Sequence, residues 1–204
     1  MITIRPFEAD DLTALYGISL MNALAGADAS HLYRDPKMMG HIYSAPYAVL
    51  EPGLALVVED GEGVAGFAVG TADTGLWEAR LERAWWPLLR SRYADPSTVP
   101  SEARTLDQQR AYMIHRPVLT PLAVTGDYPA HLHLNLAPRR HGRGLSAKLF
   151  EAWLALAMRH RIERMHVGVR RDNERGIRFW ARQAFVPITP DDGLCGRTLW
   201  MGRG

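Results

Sequence analysis

The sequence predicts a mixed α/β (α+β) domain, and three stretches carry that prediction. Between Ala130 and Leu136, the residues His131, His133 and Asn135 alternate with Leu132, Leu134 and Leu136, the two-residue period of a strand with chemically different faces. A turn containing Gly142 and Gly144 leads into Leu145, Leu149, Trp153, Leu156 and His160, whose three- and four-residue steps mark one face of an amphipathic helix. A second such unit follows: a strand at 164–170, a loop carrying Asn173, a helix at about 174–183, and Ala184-Phe185 opening another strand.

The rest of the chain supplies further elements in order. Ile2, Ile4 and Pro6 read as a short strand, after which Asp10-Asp11 can cap a helix bearing Leu12, Leu15, Tyr16, Ile18 and Leu20. Residues 26–33 read as a loop. Asp35-Pro36 starts a helix at 37–43 that Pro46 is expected to stop, with Met38, Met39, Ile42 and Tyr43 in the core. Two strands at 54–59 and 64–71 flank Asp60-Gly61-Glu62-Gly63, a hairpin signal. Trp77, Leu81, Ala84, Trp85 and Leu88 keep a helical face, and Pro87 either kinks that helix or begins the next. A linker at 95–101, a helix at 106–115 and an extended loop at 117–129 complete the middle of the chain.

Composition sets the outer limits. At 204 residues and 47% hydrophobic content, the chain can bury a sizeable core as one domain, 1–204. A formal net charge of +2, with no basic tail and no reader motif, argues against nucleic acid. Cys195 is the only cysteine, so neither an internal disulfide nor a cysteine zinc cluster can form, and the compartment reads as reducing. Charges at Arg5, Glu8, Asp10 and Asp11 exclude a signal peptide, and no apolar run reaches membrane-spanning length, so a cytoplasmic location is expected.

The chemistry concentrates after Pro138. Arg139, Arg140, His141, Gly142, Arg143, Gly144, Leu145 and Ser146 place backbone N–H groups, freed by small residues, at the start of a helix among cations. That arrangement is a cradle for a pyrophosphate. A dinucleotide fingerprint fails because its third glycine is Ala147, and no Gly-Lys-Ser or Gly-Lys-Thr occurs.

The stretch resembles the acetyl-CoA loop of the GNAT N-acetyltransferases, Gln/Arg-x-x-Gly-x-Gly/Ala after a strand and a proline. Counted from Pro138, His141 stands in the Gln/Arg place, Gly144 in the glycine place and Ser146 in the last. Arg139, Gly142 and Gly144 fit the pattern in a second register, at a shorter proline spacing. Downstream, Asn173, Phe179-Trp180 and Ala184-Phe185 follow the family's next unit, with Trp180 where a tyrosine is usual and Ala184 for a glycine. A plain GNAT domain lacks the helical insertion at about 73–129 that here precedes a cofactor-binding core at about 130–188. With SAPYAVLEPG and YPAHLHLNL, that insertion makes the chain similar to the acetyltransferase-like C-terminal domain of O-GlcNAcase and its free-standing bacterial relatives.

The resemblance implies a GNAT acyl-CoA N-acyltransferase fold, a mixed central sheet with splayed strands flanked by helices. It implies acetyl-CoA as cofactor and N-acetyl transfer to an amine acceptor, whether small molecule, amino sugar or protein lysine. Backbone at Leu134, Asn135 and Leu136 would meet the acetyl carbonyl, and amides from Arg140 to Ser146 the pyrophosphate. Asn173 would contact pantetheine or order its loop, and arginines such as Arg178 the nucleotide phosphates. Trp180 replaces the family's tyrosine proton donor; indole cannot perform that role, which leaves it as a wall of the thioester channel or a core aromatic. For a general base, His133 and Asp172 are the candidates, with Glu78 and Tyr112 open. His131 and His133 have no carboxylate at ligand spacing, so no metal is expected. The insertion can line the acceptor pocket, cover it, form a homodimer contact or pack on the domain edge. The alternative function is an inactive pseudo-acetyltransferase that binds acetyl-CoA or a protein partner.

Overall fold

The computed structural model describes residues 2–23, 30–142, 144–188 and 196–204. Strand β1 (Thr3–Pro6) leads through helices α1 (Leu12–Met21), α2 (Met38–Tyr43) and α3 (Ala45–Leu50) to the hairpin of β2 (Ala55–Asp60) and β3 (Gly63–Thr71). The insertion then supplies α4 (Thr74–Ala84), α5 (Trp86–Arg92), α6 (Leu106–His115) and α7 (Leu122–Thr125). The last third holds β4 (Ala130–Leu136), α8 (Leu145–Arg159), β5 (Met165–Arg170), α9 (Glu174–Arg182), β6 (Val186–Pro187) and β7 (Thr198–Arg203). The strands form one mixed sheet in the order β1-β2-β3-β4-β5-β7-β6. Among the described residues, no helix is long and apolar enough to cross a membrane.

Both faces of this sheet are covered, as the near-continuous apolar runs of β2 and β3 require. Leu56, Val58 and Ala68 turn to one core, where α8 contributes Leu145, Leu149, Phe150, Trp153 and Ala157. Val57, Phe67 and Val69 turn to the other, filled by Leu15 and Ile18 of α1, Met38 and Met39 of α2, and the insertion's Trp77, Leu81, Trp86, Leu89 and Ile114. The insertion is therefore part of the domain's second core.

Most elements lie where the sequence places them, and the differences have local causes. Pro46 does not stop a helix; it sits in the first turn of α3, where its missing N–H costs nothing, and Pro87 opens α5 in the same way. The stretch 117–129 is not wholly extended, since α7 interrupts it. His160 is exposed beyond the end of α8, and Phe150 and Ala157 complete the buried face in its place. Strand β7 had no counterpart in the sequence reading; it lies between β5 and β6, antiparallel to both.

The end of α9 explains the Ala184-Phe185 pair. Phe185 N–H donates to Trp180 O at 3.1 Å and Ala184 N–H to Ala181 O at 3.1 Å, the two bonds of a Schellman cap. The Trp180 and Phe185 rings, 5.0 Å apart, supply the cap's apolar contact. That geometry forces the residue between them into the left-handed region, and Ala184 has φ 63°. Ala184→Gly is expected to raise unfolding stability by about 1 kcal/mol in a urea titration, because glycine takes this conformation without the Cβ penalty. An unchanged or lower stability would contradict the strain assigned to Ala184.

Candidate active site

β4 has two neighbours with different reach. It pairs with β3 from His131 to Leu136, but with β5 only through Ala130↔Met165 and His131↔His166. Beyond those two residues the parallel strands part. Ala137 N–H donates to Ala65 O at 2.8 Å, which fixes the parity of the β3–β4 ladder. Residues 131, 133 and 135 direct their backbone groups at β3, and Leu132, Leu134 and Leu136 direct theirs toward β5. Leu134 and Leu136 therefore turn amides into the opening, whereas Asn135 turns its backbone away.

The loop after β4 is fastened before it reaches the helix. Arg140 N–H donates to Ala137 O at 2.9 Å and His141 N–H to Pro138 O at 3.1 Å, so these two expected cradle amides belong to the turn itself. The arginine side chains are engaged as well: Arg139 reaches Asp60 at 3.2 Å and Arg140 reaches it at 2.5 Å. Together they hold the Asp60 carboxyl far below its usual range. His141 donates from Nε2 to Leu136 O at 3.0 Å and faces Arg175 Nη1 with Nδ1 at 3.3 Å, which makes it a strut between β4 and α9. Burial pulls its pKa down.

What remains for an anion is the far side of the turn. Gly142 and Gly144 have φ 77° and 70°, and a Cβ built on either would meet no protein atom within 4 Å. The first-turn amides of α8, at Leu145 and Ser146, have no partner inside the helix and carry the positive end of its dipole. Arg143 lies outside the described residues.

On the face of β4 turned to the second core, four side chains are joined by hydrogen bonds. Tyr47 Oη stands 2.7 Å from His131 Nε2 and 3.2 Å from His133 Nε2, while His131 Nδ1 stands 2.7 Å from Thr74 Oγ1. Thr74 Oγ1 also donates to Pro129 O at 2.7 Å, so its single hydrogen is committed and His131 must donate to it from Nδ1. His131 Nε2 then accepts from Tyr47. Tyr47, its hydrogen used, accepts from His133 Nε2–H. The chain of donors leaves His133 with one basic atom, Nδ1. Burial, with the neighbouring histidines, pulls His133 down to about 4 and His131 well below its usual value, while it pushes the Tyr47 hydroxyl up. Tyr47 stacks on Trp77 at 4.4 Å, which fixes its ring.

The other sequence candidates take quieter positions. Asp172 is exposed and accepts from Arg170 Nε at 2.9 Å, which holds its carboxyl below the usual range. Asn173 Oδ1 accepts from Gly176 N–H at 2.9 Å as the N-cap of α9, the loop-ordering role. Arg178 pairs with Glu174 one turn earlier on the exposed side of the same helix. Trp180 is 8% exposed and packs against Phe150, Phe179 and Phe185. Glu78 accepts from Thr120 N–H and Oγ1, and Tyr112 lies against Arg104 and Arg116. Tyr47 and Thr74 were missed in the sequence; each reaches the histidines across more than fifty residues of chain.

Comparison with known proteins follows the same lines. No protein-family model matches the chain. Protein O-GlcNAcase of Rattus norvegicus is 19% identical over 204 residues, a match covering 98% of this chain and 22% of the rat protein. The chain thus spans about a fifth of that relative's length. Among solved structures, SsHAT has a TM-score of 0.89 at 34% identity, covering 99% of this chain and 97% of its own. The PaiA N-acetyltransferase of Thermoplasma acidophilum, solved in complex with coenzyme A, has a TM-score of 0.54 at 13% identity, with 100% and 98% covered. At that identity the likeness speaks for the fold alone.

Burial of neutral imidazoles has a consequence for stability. His41, bonded to Tyr16 Oη at 3.0 Å, is pulled down to about 4 by burial, as is His133. An unfolded histidine titrates near 6.5, so between about 6.5 and 4 the unfolded chain binds protons that the folded one does not. Stability is therefore full above pH 6.5 and falls on acidification through this window, by up to about 1.4 kcal/mol per pH unit for each such histidine. Urea unfolding at pH 7.5, 6 and 5 checks it; a flat profile would contradict neutral burial.

Proposed function

The chain belongs to the GNAT family of acetyltransferases, and from that premise we propose that it transfers the acetyl group of acetyl-CoA to an amine, with His133 as general base. One observation carries the reading: a parted pair of parallel strands, β4 and β5, opens beside a glycine turn and a helix N-terminus. The residues present suit coenzyme A. Space above Gly142 and Gly144 is open, and the adjoining amides of Leu145 and Ser146 offer donors for a diphosphate at the positive end of a fifteen-residue helix. A hollow of about 270 Å³ at the same helix end, between Ile2, Ile4, Arg140, Leu145 and Lys148, offers apolar walls and, at Lys148, a cation to the nucleotide.

Bound acetyl-CoA supplies an activated acyl thioester. Toward its carbonyl the chain presents the amides of Leu134 and Leu136, fixed in direction by the ladder to β3 and so organised before any charge develops. An alkylamine is mostly protonated at neutral pH, its pKa being about 10.4, and acts only once a proton is removed. His133 Nδ1 is the atom for that proton, because the Tyr47–His131–Thr74 chain keeps its other nitrogen protonated. A thiol with a pKa of about 8.5 can leave as thiolate, so the missing tyrosine at Trp180 does not forbid the reaction.

That same Trp180 favours the second reading, a module that binds acetyl-CoA without turnover, since α9 offers the site no hydroxyl where the family's donor stands. Thiol release measured with acetyl-CoA and a panel of amines, peptides and amino sugars separates the two. The transferase reading expects turnover that His133→Ala lowers by about 10²- to 10⁴-fold, the usual contribution of a general base, with calorimetric acetyl-CoA affinity retained. Silence across the panel with intact binding would favour the module. Gly144→Val is expected to remove acetyl-CoA affinity while lowering Tm by only about 2–6 °C; retained affinity would show that the cradle lies elsewhere.

A further inference from the structure

Arg110 of α6 is held differently from the other half-buried arginines among the described residues. Arg5, Arg90 and Arg140 each lie on a carboxylate, and Arg104 and Arg203 each donate to a backbone carbonyl. Arg110 has no carboxylate within 4.0 Å among the described residues; its contacts are Tyr33 Oη at 3.2 Å from Nε, and Tyr43 Oη at 3.2 Å and Met113 Sδ at 3.1 Å from Nη1. Holding a guanidinium out of water without a counter-ion is costly unless something else compensates. The two phenols compensate only as acceptors, and Tyr43 directs its own O–H at Met113 Sδ, 3.9 Å away, a weak acceptor that a stronger one can replace.

One aromatic ring links this cation to the proposed base. The Arg110 guanidinium is 5.8 Å from the centroid of the Tyr43 ring, and that same ring is 5.9 Å from the His133 ring. Arg170, at the end of β5 where the strands have parted, also comes within electrostatic reach of both phenols, with its charge answered mainly by Asp172. The nearby imidazoles of His131, His133 and His166 are kept neutral by burial and so neither add to nor offset that charge. A planar fork of donors flanked by hydroxyls matches a carboxylate in shape and charge.

We propose that the acceptor is an amine that also carries a carboxylate, an amino acid in the broad chemical sense, seated by Arg110 with Tyr33 and Tyr43 so that its amine lies at His133. The proposal rests on the transferase reading for the fate of the amine, but the carboxylate seat stands on Arg110 alone. It also gives the insertion a task, since α6 would select the acceptor.

Matched pairs test it: glycine, β-alanine and γ-aminobutyrate against their carboxamides, assayed for thiol release from acetyl-CoA. The acids are expected to exceed the amides in kcat/KM by about 10- to 100-fold, the worth of a charge-assisted contact, expressed in KM. Arg110→Gln should bring that ratio to near one, and Arg110→Lys should restore part of it. An amide as good as its acid, or an unchanged ratio in Arg110→Gln, overturns the proposal. If no amine is acetylated, the transferase reading fails by itself and binding decides the seat: heat on titrating the amino carboxylates into CoA-loaded protein, lost in Arg110→Gln, upholds it, and no heat with any of them overturns it. Should Arg110→Gln not fold, Tyr43→Phe, which keeps the ring and removes one hydroxyl, must weaken the acids and not the amides.

Discussion

A strand cannot be fully paired on both edges and also offer amides to a ligand, and the structure resolves that conflict on β4. One edge is laddered to β3 from His131 to Leu136, which holds the strand straight and fixes where each backbone group points. On the other edge, pairing with β5 stops after His131↔His166. Backbone groups left beyond that point must find partners or face solvent and ligand. The carbonyl of Leu136 is answered from outside the sheet by Asn22 Nδ2 at 2.9 Å and by His141 Nε2 at 3.0 Å. The parting is thus braced at its wide end by α1 and by the glycine turn, and pivoted at its narrow end where His166 Nδ1 donates to Tyr128 O.

The braces come from parts of the chain far apart in sequence. Asp60 at the β2–β3 turn anchors Arg139 and Arg140, so the loop reaches Gly142 from a fixed base and its cations are largely neutralised there. On the opposite face, α4 sets the histidine tautomers through Thr74 and pins Tyr47 through Trp77, while α6 brings a cation to Tyr43. The two cores divide accordingly, one beneath α8 and the other beneath the N-terminal helices and the insertion.

What the sequence disclosed was local. Alternation in 130–136, the amphipathic steps from Leu145 to Trp153 and the helix that begins after Asn173 depend on residues a few positions apart, and each is where the pattern puts it. Glycines 142 and 144 carry positive φ as the turn demanded. Contacts across the chain were not legible. Nothing near Arg139 shows that its guanidinium goes to a carboxylate seventy-nine positions earlier, and a histidine in the Gln/Arg place gives no sign that it will brace a strand. The same holds for Tyr47, eighty-four positions from His131. Trp180 is ambiguous in the sequence because a core aromatic and a channel wall share one helical spacing, and two of its phenylalanine neighbours, Phe150 and Phe185, come from outside α9. Cys195 lies outside the described residues.

The most direct measurement is a crystal structure of the chain with acetyl-CoA. The diphosphate is expected on the amides of Leu145 and Ser146 above Gly142 and Gly144, the acetyl carbonyl on the N–H of Leu134 or Leu136, and the methyl group on the side of β4 that carries His133. A cofactor seated elsewhere, or a β4–β5 gap that closes into a continuous ladder with acetyl-CoA bound, would contradict that arrangement.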